Sequence, residues 1–181
     1  MNRYQLGRAI THHKTTGTGF LCADATYIPV RTGEFDTVMS LCVFEHLPND
    51  KETLREAWRI LRPHGRLLLT LDSLSNDALD DEWRSVHRER HFVRQFYTHE
   101  TISELLEQCG FSLERHKYLV SSPYDFLLMK LSYAAERMNP VLAMVVRLSL
   151  VTGGRVLSAF WNLFAPVDRG WTLLIEARKQ S

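Results

Sequence analysis

Glu34-Phe35-Asp36-Thr37-Val38-Met39-Ser40-Leu41-Cys42-Val43-Phe44-Glu45-His46-Leu47 is the stretch on which the fold turns. Thr37–Val43 is a short apolar run, which reads as a buried strand. Arg31-Thr32-Gly33-Glu34 before it is a turn. Pro48-Asn49-Asp50 after it opens a helix, with Asn49 or Asp50 as cap and Glu52 suited to the positive end of the helix dipole. Leu54, Ala57, Trp58 and Leu61 recur at helical spacing and give that helix one apolar face. Pro63-His64-Gly65 stops it, and Arg66–Leu71 forms the next strand.

The same pattern extends outward. Upstream, Asn2–His13 reads as a short helix, and Gly17 and Gly19 break the chain. Phe20-Leu21-Cys22-Ala23 is a short buried strand ending at Asp24. Downstream, residues 72–97 are polar and irregular, with a charged stretch from Asp80 to Arg94. Thr98 caps a further helix with an apolar stripe of Ile102, Leu105, Leu106 and Cys109, and Gly110 stops it. Phe111–Val120 and Trp171–Ala177 are strands, and residues 122–169 between them are helical and unusually apolar. Strands alternating with helices give an α/β fold with a largely parallel sheet.

With 181 residues, 45% of them hydrophobic and 24% charged, the chain fits one globular domain with a sizeable core. Its net charge of +1 lacks the basic excess of a nucleic-acid surface, so no nucleic-acid partner is expected. Residues 1–121 carry 15 Lys/Arg and 17 Asp/Glu, whereas residues 122–181 carry 7 and 4, so the later part is the more basic. Cys22, Cys42 and Cys109 fit no metal or redox spacing and read as small buried hydrophobes in a reducing cytoplasm. The polar N-terminus shows no signal-peptide core.

Three blocks carry a family resemblance. They are Cys22-Ala23-Asp24-Ala25 at a strand end, Glu34–Ser40 running into Val43-Phe44-Glu45-His46-Leu47, and Glu56-Ala57-Trp58-Arg59-Ile60-Leu61-Arg62-Pro63-His64-Gly65-Arg66. A softer fourth block is Thr98–Phe111. In this order and spacing they resemble the class I S-adenosylmethionine (SAM)-dependent methyltransferase family, including small-molecule and quinone-biosynthesis members. The resemblance covers roughly residues 20–121, with Trp171–Lys179 similar to the final strand. It implies a Rossmann-like sheet, SAM as cofactor, and a methyl group passed to a small or lipid-like acceptor.

The resemblance assigns roles residue by residue. Asp24 would accept a hydrogen bond from the adenine amino group, and the backbone N–H of Ala25 would donate to the ring. Leu41 and Cys42 would line the methionine end through their backbone, with Phe44 packed nearby. These positions suit the rule that open α/β sheets bind ligands beyond the carboxyl ends of their strands. Each has a plainer reading as well: Asp24 as a turn residue, Phe44 as core. His46 is the candidate catalytic base, beside Glu45, if the acceptor must lose a proton; a structural or substrate-shaping role is its alternative. His64 replaces a family glycine at a position that often needs positive φ, which His tolerates better than a β-branched residue. His87-x-x-x-His91 has helical spacing but lacks the adjacent Glu of a zinc-protease helix, so it reads as a solvated face and no metal site is expected.

The family's glycine-rich loop and its first two strands have no counterpart in the sequence, and Met1 aligns just after the second. The expected sheet therefore lacks those strands and leaves Thr37–Val43 as an exposed apolar edge. A truncated gene model, an internal start or one piece of a split domain is the expectation, and a catalytically dead relative the remaining reading. Weak SAM binding follows from the missing contacts. The insertion before the last strand holds only Arg147 and Arg155 as charges between Met138 and Val167, with no uncharged run of the roughly 20 residues a bilayer span needs. Helices near Tyr124–Arg137 and Pro140–Phe164 are expected to cover the mouth above Leu41–His46 or to lie on a membrane surface. Ordinary core and a homodimer contact are the other options for them. Two rival functions stand beside methyl transfer: a non-catalytic remnant that binds no SAM, and a membrane-surface or oligomer-interaction module. Lipid flotation and SAM calorimetry separate the three.

Overall fold

The computed structural model describes residues 19–75, 79–119, 121–122 and 168–181, with helical positions 125, 127, 130, 131, 140, 141, 144, 145 and 148. The Asn2–His13 helix and most of the 122–169 insertion lie outside the described residues. The elements are β1 (Phe35–Leu41), α1 (Asp50–Ile60), β2 (Leu61–Asp72), α2 (Asp81–His91), α3 (His99–Gln108), β3 (Phe111–Leu119) and β4 (Thr172–Lys179). They form a four-stranded sheet in the order β1-β2-β4-β3. β1 and β2 are parallel, and β4 runs antiparallel to both β2 and β3. The last strand in the chain therefore sits antiparallel between β2 and β3.

Period-two burial shows which face of the sheet is covered. In β2, Leu67, Leu69 and Leu71 are buried while Leu68 and Thr70 are half-buried; in β4, Leu173, Ile175 and Ala177 are buried and Leu174 is exposed. α1 adds Leu54, Ala57 and Ile60 to the covered side, and α3 adds Ile102 and Leu106. The two helices are pinned to each other, because Trp58 Nε1 donates to the Gly110 carbonyl at 3.2 Å. Lys179 then closes the layer. Its Nζ donates to the carbonyls of Trp58 and Leu61, both at 2.8 Å, and lies 3.7 Å from the Trp58 ring centroid. Those carbonyls are left over at the end of α1, where a cation also meets the negative end of the dipole.

Local signals explain several boundaries. Thr98 and Thr101 form a reciprocal capping box on α3. Gly110 takes φ 82° where that helix turns into β3. His64 does adopt positive φ, 61°, within an excursion of β2 between the partner pairs Phe35–Leu61 and Thr37–Arg66. Asn49 is the N-cap of α1 but makes no side-chain cap bond there.

Other expectations need correction. Phe20–Ala23 is not a strand: no sheet edge lies beside it among the described residues, and the segment's one bridge joins Asp24 to Tyr27. β1 ends at Leu41 rather than Val43, because Cys42 turns left-handed at φ 48° and Phe44–His46 form a short 3-10 turn. Cys22 and Cys42 are exposed; Cys109 alone is buried. Among the described residues no strand pairs with the Cys22 segment, and Cys42 lies just past the edge strand. The polar region 72–97 holds a full helix, α2, capped by the Asp80 side chain on Trp83 N–H. Its one buried residue is His87, so the residue read as part of a solvated face is in fact interior. β1 is an edge strand among the described residues, with Met39 and Leu41 both 58% exposed.

Candidate functional site

β1 and β2 are parallel neighbours, so their carboxyl ends open on the same side of the sheet. The chain leaves β1 through Cys42, whose N–H donates to the Thr70 carbonyl at 3.0 Å and lies 3.0 Å from Thr70 Oγ1. That anchor on β2 holds the reversal and delivers Phe44, Glu45 and His46 to the strand ends. Leu41, at the last position of β1, is exposed. Phe44 is buried, its ring 5.5 Å from that of Tyr97.

Asp24 and Ala25 arrive from a separate segment, held by α1. Arg59 donates to the carbonyls of Ile28 and Val30 at 2.8 and 2.9 Å. Glu56 Oε1 accepts from Ile28 N–H at 2.6 Å, and Arg59 and Glu56 are themselves paired at 2.8 Å. The Arg59 bond holds the Glu56 carboxyl below its usual range. Asp24 is exposed and caps its own turn, Oδ1 accepting from Thr26 N–H and Oγ1 at 2.9 and 2.8 Å. These bonds lower its pKa. Beside it an apolar cleft of about 170 Å³ is walled by Ala25, Ile28, Val43, Phe44 and Leu47.

The polar part of the site lies at the end of β2. Asp72 Oδ2 holds His87 Nε2 at 2.8 Å, and both side chains are almost wholly enclosed. His87 meets the Trp171 ring edge-on at 4.8 Å and the His91 ring at 4.5 Å. The segment after α2 is stitched across the strand ends: Arg94 N–H donates to the Glu45 carbonyl at 2.9 Å, and Tyr97 N–H to the Asp72 carbonyl at 3.1 Å. Phe92, at φ 56°, places its carbonyl 3.3 Å from His46 Nδ1. The His46 side chain is 35% exposed, and its Nε2 stands 4.0 Å from Glu45 Oε1. Glu45 is interior, and burial pushes its carboxyl above the usual range.

The structure thus brings Leu41, Cys42, Phe44 and His46 together at one strand end and sets Ala25 against Phe44 across the cleft. Sequence reasoning missed Asp72 and His87. The available signals were a carboxylate closing a strand and a helix start at Asp80-Asp81-Glu82, followed by the basic run Arg88 to His91. It also left the Glu56–Arg59 clamp unread, although the pair has helical i, i+3 spacing.

Comparison with known proteins agrees with this layout. Residues 1–69 match a family described as a methyltransferase domain. The malonyl-[acyl-carrier protein] O-methyltransferase of Hahella chejuensis is 31% identical over 121 residues, covering 66% of this chain and 43% of that protein. The chain therefore spans less than half the length of this curated relative. Among solved structures, an S-adenosylmethionine-dependent methyltransferase from Mesorhizobium loti superposes with TM-score 0.61 at 16% identity, covering 98% of this chain and 77% of that one. Phosphoethanolamine N-methyltransferase 2 of Haemonchus contortus, solved with S-adenosyl-L-methionine, gives TM-score 0.56 at 18% identity, over 87% of this chain and 36% of that one. At these identities the structural likeness is one of fold.

Proposed function

We propose that the chain, whose residues 1–69 match a methyltransferase-domain family, serves methyl transfer from SAM to a small or lipid-like acceptor. Two observations support this reading: an apolar cleft walled by Ala25 and Phe44, and a polar, enclosed Asp72–His87 pair at the end of β2. The first suits the adenine end of the cofactor and the second suits an acceptor. When bound, SAM supplies a methyl group already activated by its sulfonium.

The chain's own residues hold and orient. Asp24 accepts from the adenine amino group, and the Ala25 backbone borders the ring. The Leu41–Cys42 backbone borders the methionine end, its geometry set by the Thr70 anchor. Phe44 closes the slot from the core side, and His46 faces the acceptor from the rim. Replacing Asp24 by alanine should weaken SAM binding about three- to tenfold, the worth of one hydrogen bond. Isothermal calorimetry on the full chain measures this. Unchanged affinity would remove Asp24 from the cofactor site.

The lipid-like half of the reading rests on the insertion. Val141, Met144, Val145 and Leu148 recur at helical spacing and are 52–68% exposed. Among the described residues no helix is long and apolar enough to cross a membrane. Such a face suits a lipid acceptor or the surface of a bilayer. Val145→Asp with Leu148→Asp is expected to abolish flotation with anionic vesicles while circular dichroism stays unchanged. If the wild-type chain ignores the vesicles and the double variant unfolds, the insertion is core, and the acceptor is not drawn from a membrane by this face.

A further inference from the structure

Buried polar atoms are nearly always hydrogen-bonded, so the exceptions are informative. Among the described residues four buried side-chain atoms have no partner: both Glu45 carboxyl oxygens, Ser73 Oγ and His87 Nδ1. None is scattered through the core. Glu45 follows β1, Ser73 follows β2, and His87 is bonded to Asp72, the last residue of β2. These are the strand ends at which an open α/β sheet receives its ligand.

His87 is the most constrained of the three. An ionised carboxylate can only accept, so Asp72 fixes the Nε2–H tautomer and leaves a lone pair on Nδ1. A neutral imidazole oriented in this way turns an acceptor nitrogen away from the carboxylate that holds it, the geometry of a general base. Its surroundings keep water away, since Trp171, His91 and Phe96 pack around the ring. The charged and titratable groups nearby include Asp72, His91, Arg90, His46 and Glu45. Burial and the neighbouring His87 lower the pKa of His91, which limits competition for the proton. His46 differs in both respects, being one-third exposed and having its Nδ1 at a backbone carbonyl.

We propose that the Asp72–His87 pair is the proton-accepting element of the acceptor site and that the acceptor presents a neutral hydroxyl to His87 Nδ1. The acceptor's O–H bond breaks, its electron pair stays on oxygen, and the proton passes to Nδ1. The imidazolium so formed is balanced by Asp72. Two buried carboxyls, Glu45 and Asp72, make the same site hostile to a carboxylate acceptor, because like charges at short range in a low-dielectric site repel strongly. This assignment deepens the proposed methyl transfer and rests on it.

The test pairs two probes of equal chain length, 1-octanol and octanoate, with nitrogen-15 NMR of the full chain labelled at histidine. Octanol is expected to shift the His87 Nδ1 resonance in the direction of a hydrogen-bonded, unprotonated nitrogen, and octanoate is expected to bind at least tenfold more weakly. His87→Gln should reduce octanol affinity at least tenfold. Asp72→Asn should place the proton on Nδ1 and remove the octanol-induced shift even if His87→Gln fails to fold. No response of Nδ1 to octanol, or equal affinity for octanoate, overturns the proposal. SAM calorimetry run alongside keeps the two readings apart. A chain that binds SAM without an octanol response refutes only the His87 assignment. One that binds octanol at His87 but never SAM refutes only the methyl-transfer reading.

Discussion

Glutamine in place of Glu45 is expected to make the folded chain more stable at neutral pH, because it removes a charge that burial disfavours while keeping the side chain's size. Glu45 is 1% exposed and neither carboxyl oxygen has a hydrogen-bond partner, His46 Nε2 standing 4.0 Å from Oε1. Burial raises its pKa above the ordinary 4.5, with Asp72 adding to the effect and the Glu45 backbone and His46 opposing it. The sign follows from proton counting. Between pH 4.5 and the raised native value, the native chain holds a proton that the unfolded chain has released. Wild-type stability therefore falls as pH rises through that window, and the glutamine variant lacks this contribution. Urea unfolding of both chains at about pH 4.5 and about pH 7.5 should show a difference that is small at the lower pH and full at the higher. Equal stability at about pH 7.5 would mean that the carboxyl is satisfied in solution. The extra stability should come with a weaker acceptor site, as when a functional group is kept at a cost to the fold.

Arg59→Ala should destabilise the chain and lower Tm by roughly 5 °C. The change removes donors from the Ile28 and Val30 carbonyls and strips Glu56 of its cation while that carboxylate stays 8% exposed. The value is set below that for a wholly buried pair because the Arg59 side chain is 32% exposed. The loss should reach the cofactor as well, since this clamp carries the Asp24–Ala25 segment, so SAM affinity should fall in the same variant. Replacing Glu56 by glutamine together with Arg59 by methionine should cost less than Arg59→Ala alone, because no unpaired charge remains. If thermal unfolding shows the single and double variants alike, the ion pair is not what holds the segment.

The parts of this fold that could be read from sequence are those in which one local signal dominates. The apolar runs of β1, β2 and β4, the stripe of α3 and its Thr98 cap each declare themselves through periodicity or capping chemistry. α2 did not, because a helix that buries only one histidine has no stripe to find. Phe20–Ala23 misled for the opposite reason: a strand needs a partner, and composition cannot supply one. The candidate site divides along the same line. Cys42 to His46 follow a strand and were legible as a run. His87 gains its meaning from Asp72, fifteen residues away in sequence, and from Trp171 beyond that. Pairings of this kind are made by the fold.

The seat of β4 between β2 and β3 sets a timetable for the chain's assembly. β2 ends at Asp72 and β4 begins at Thr172, so a nascent chain emerging at roughly 5–20 residues per second makes the central strand about 5–20 s after β2. Through that interval β2, and β3 once it is made, cannot join, and each presents an open hydrogen-bonding edge. Order then comes late and through distant contacts, which slows folding relative to a chain of local hairpins. A holding chaperone would find its target here, on β2, before Thr172–Lys179 arrives to complete the sheet.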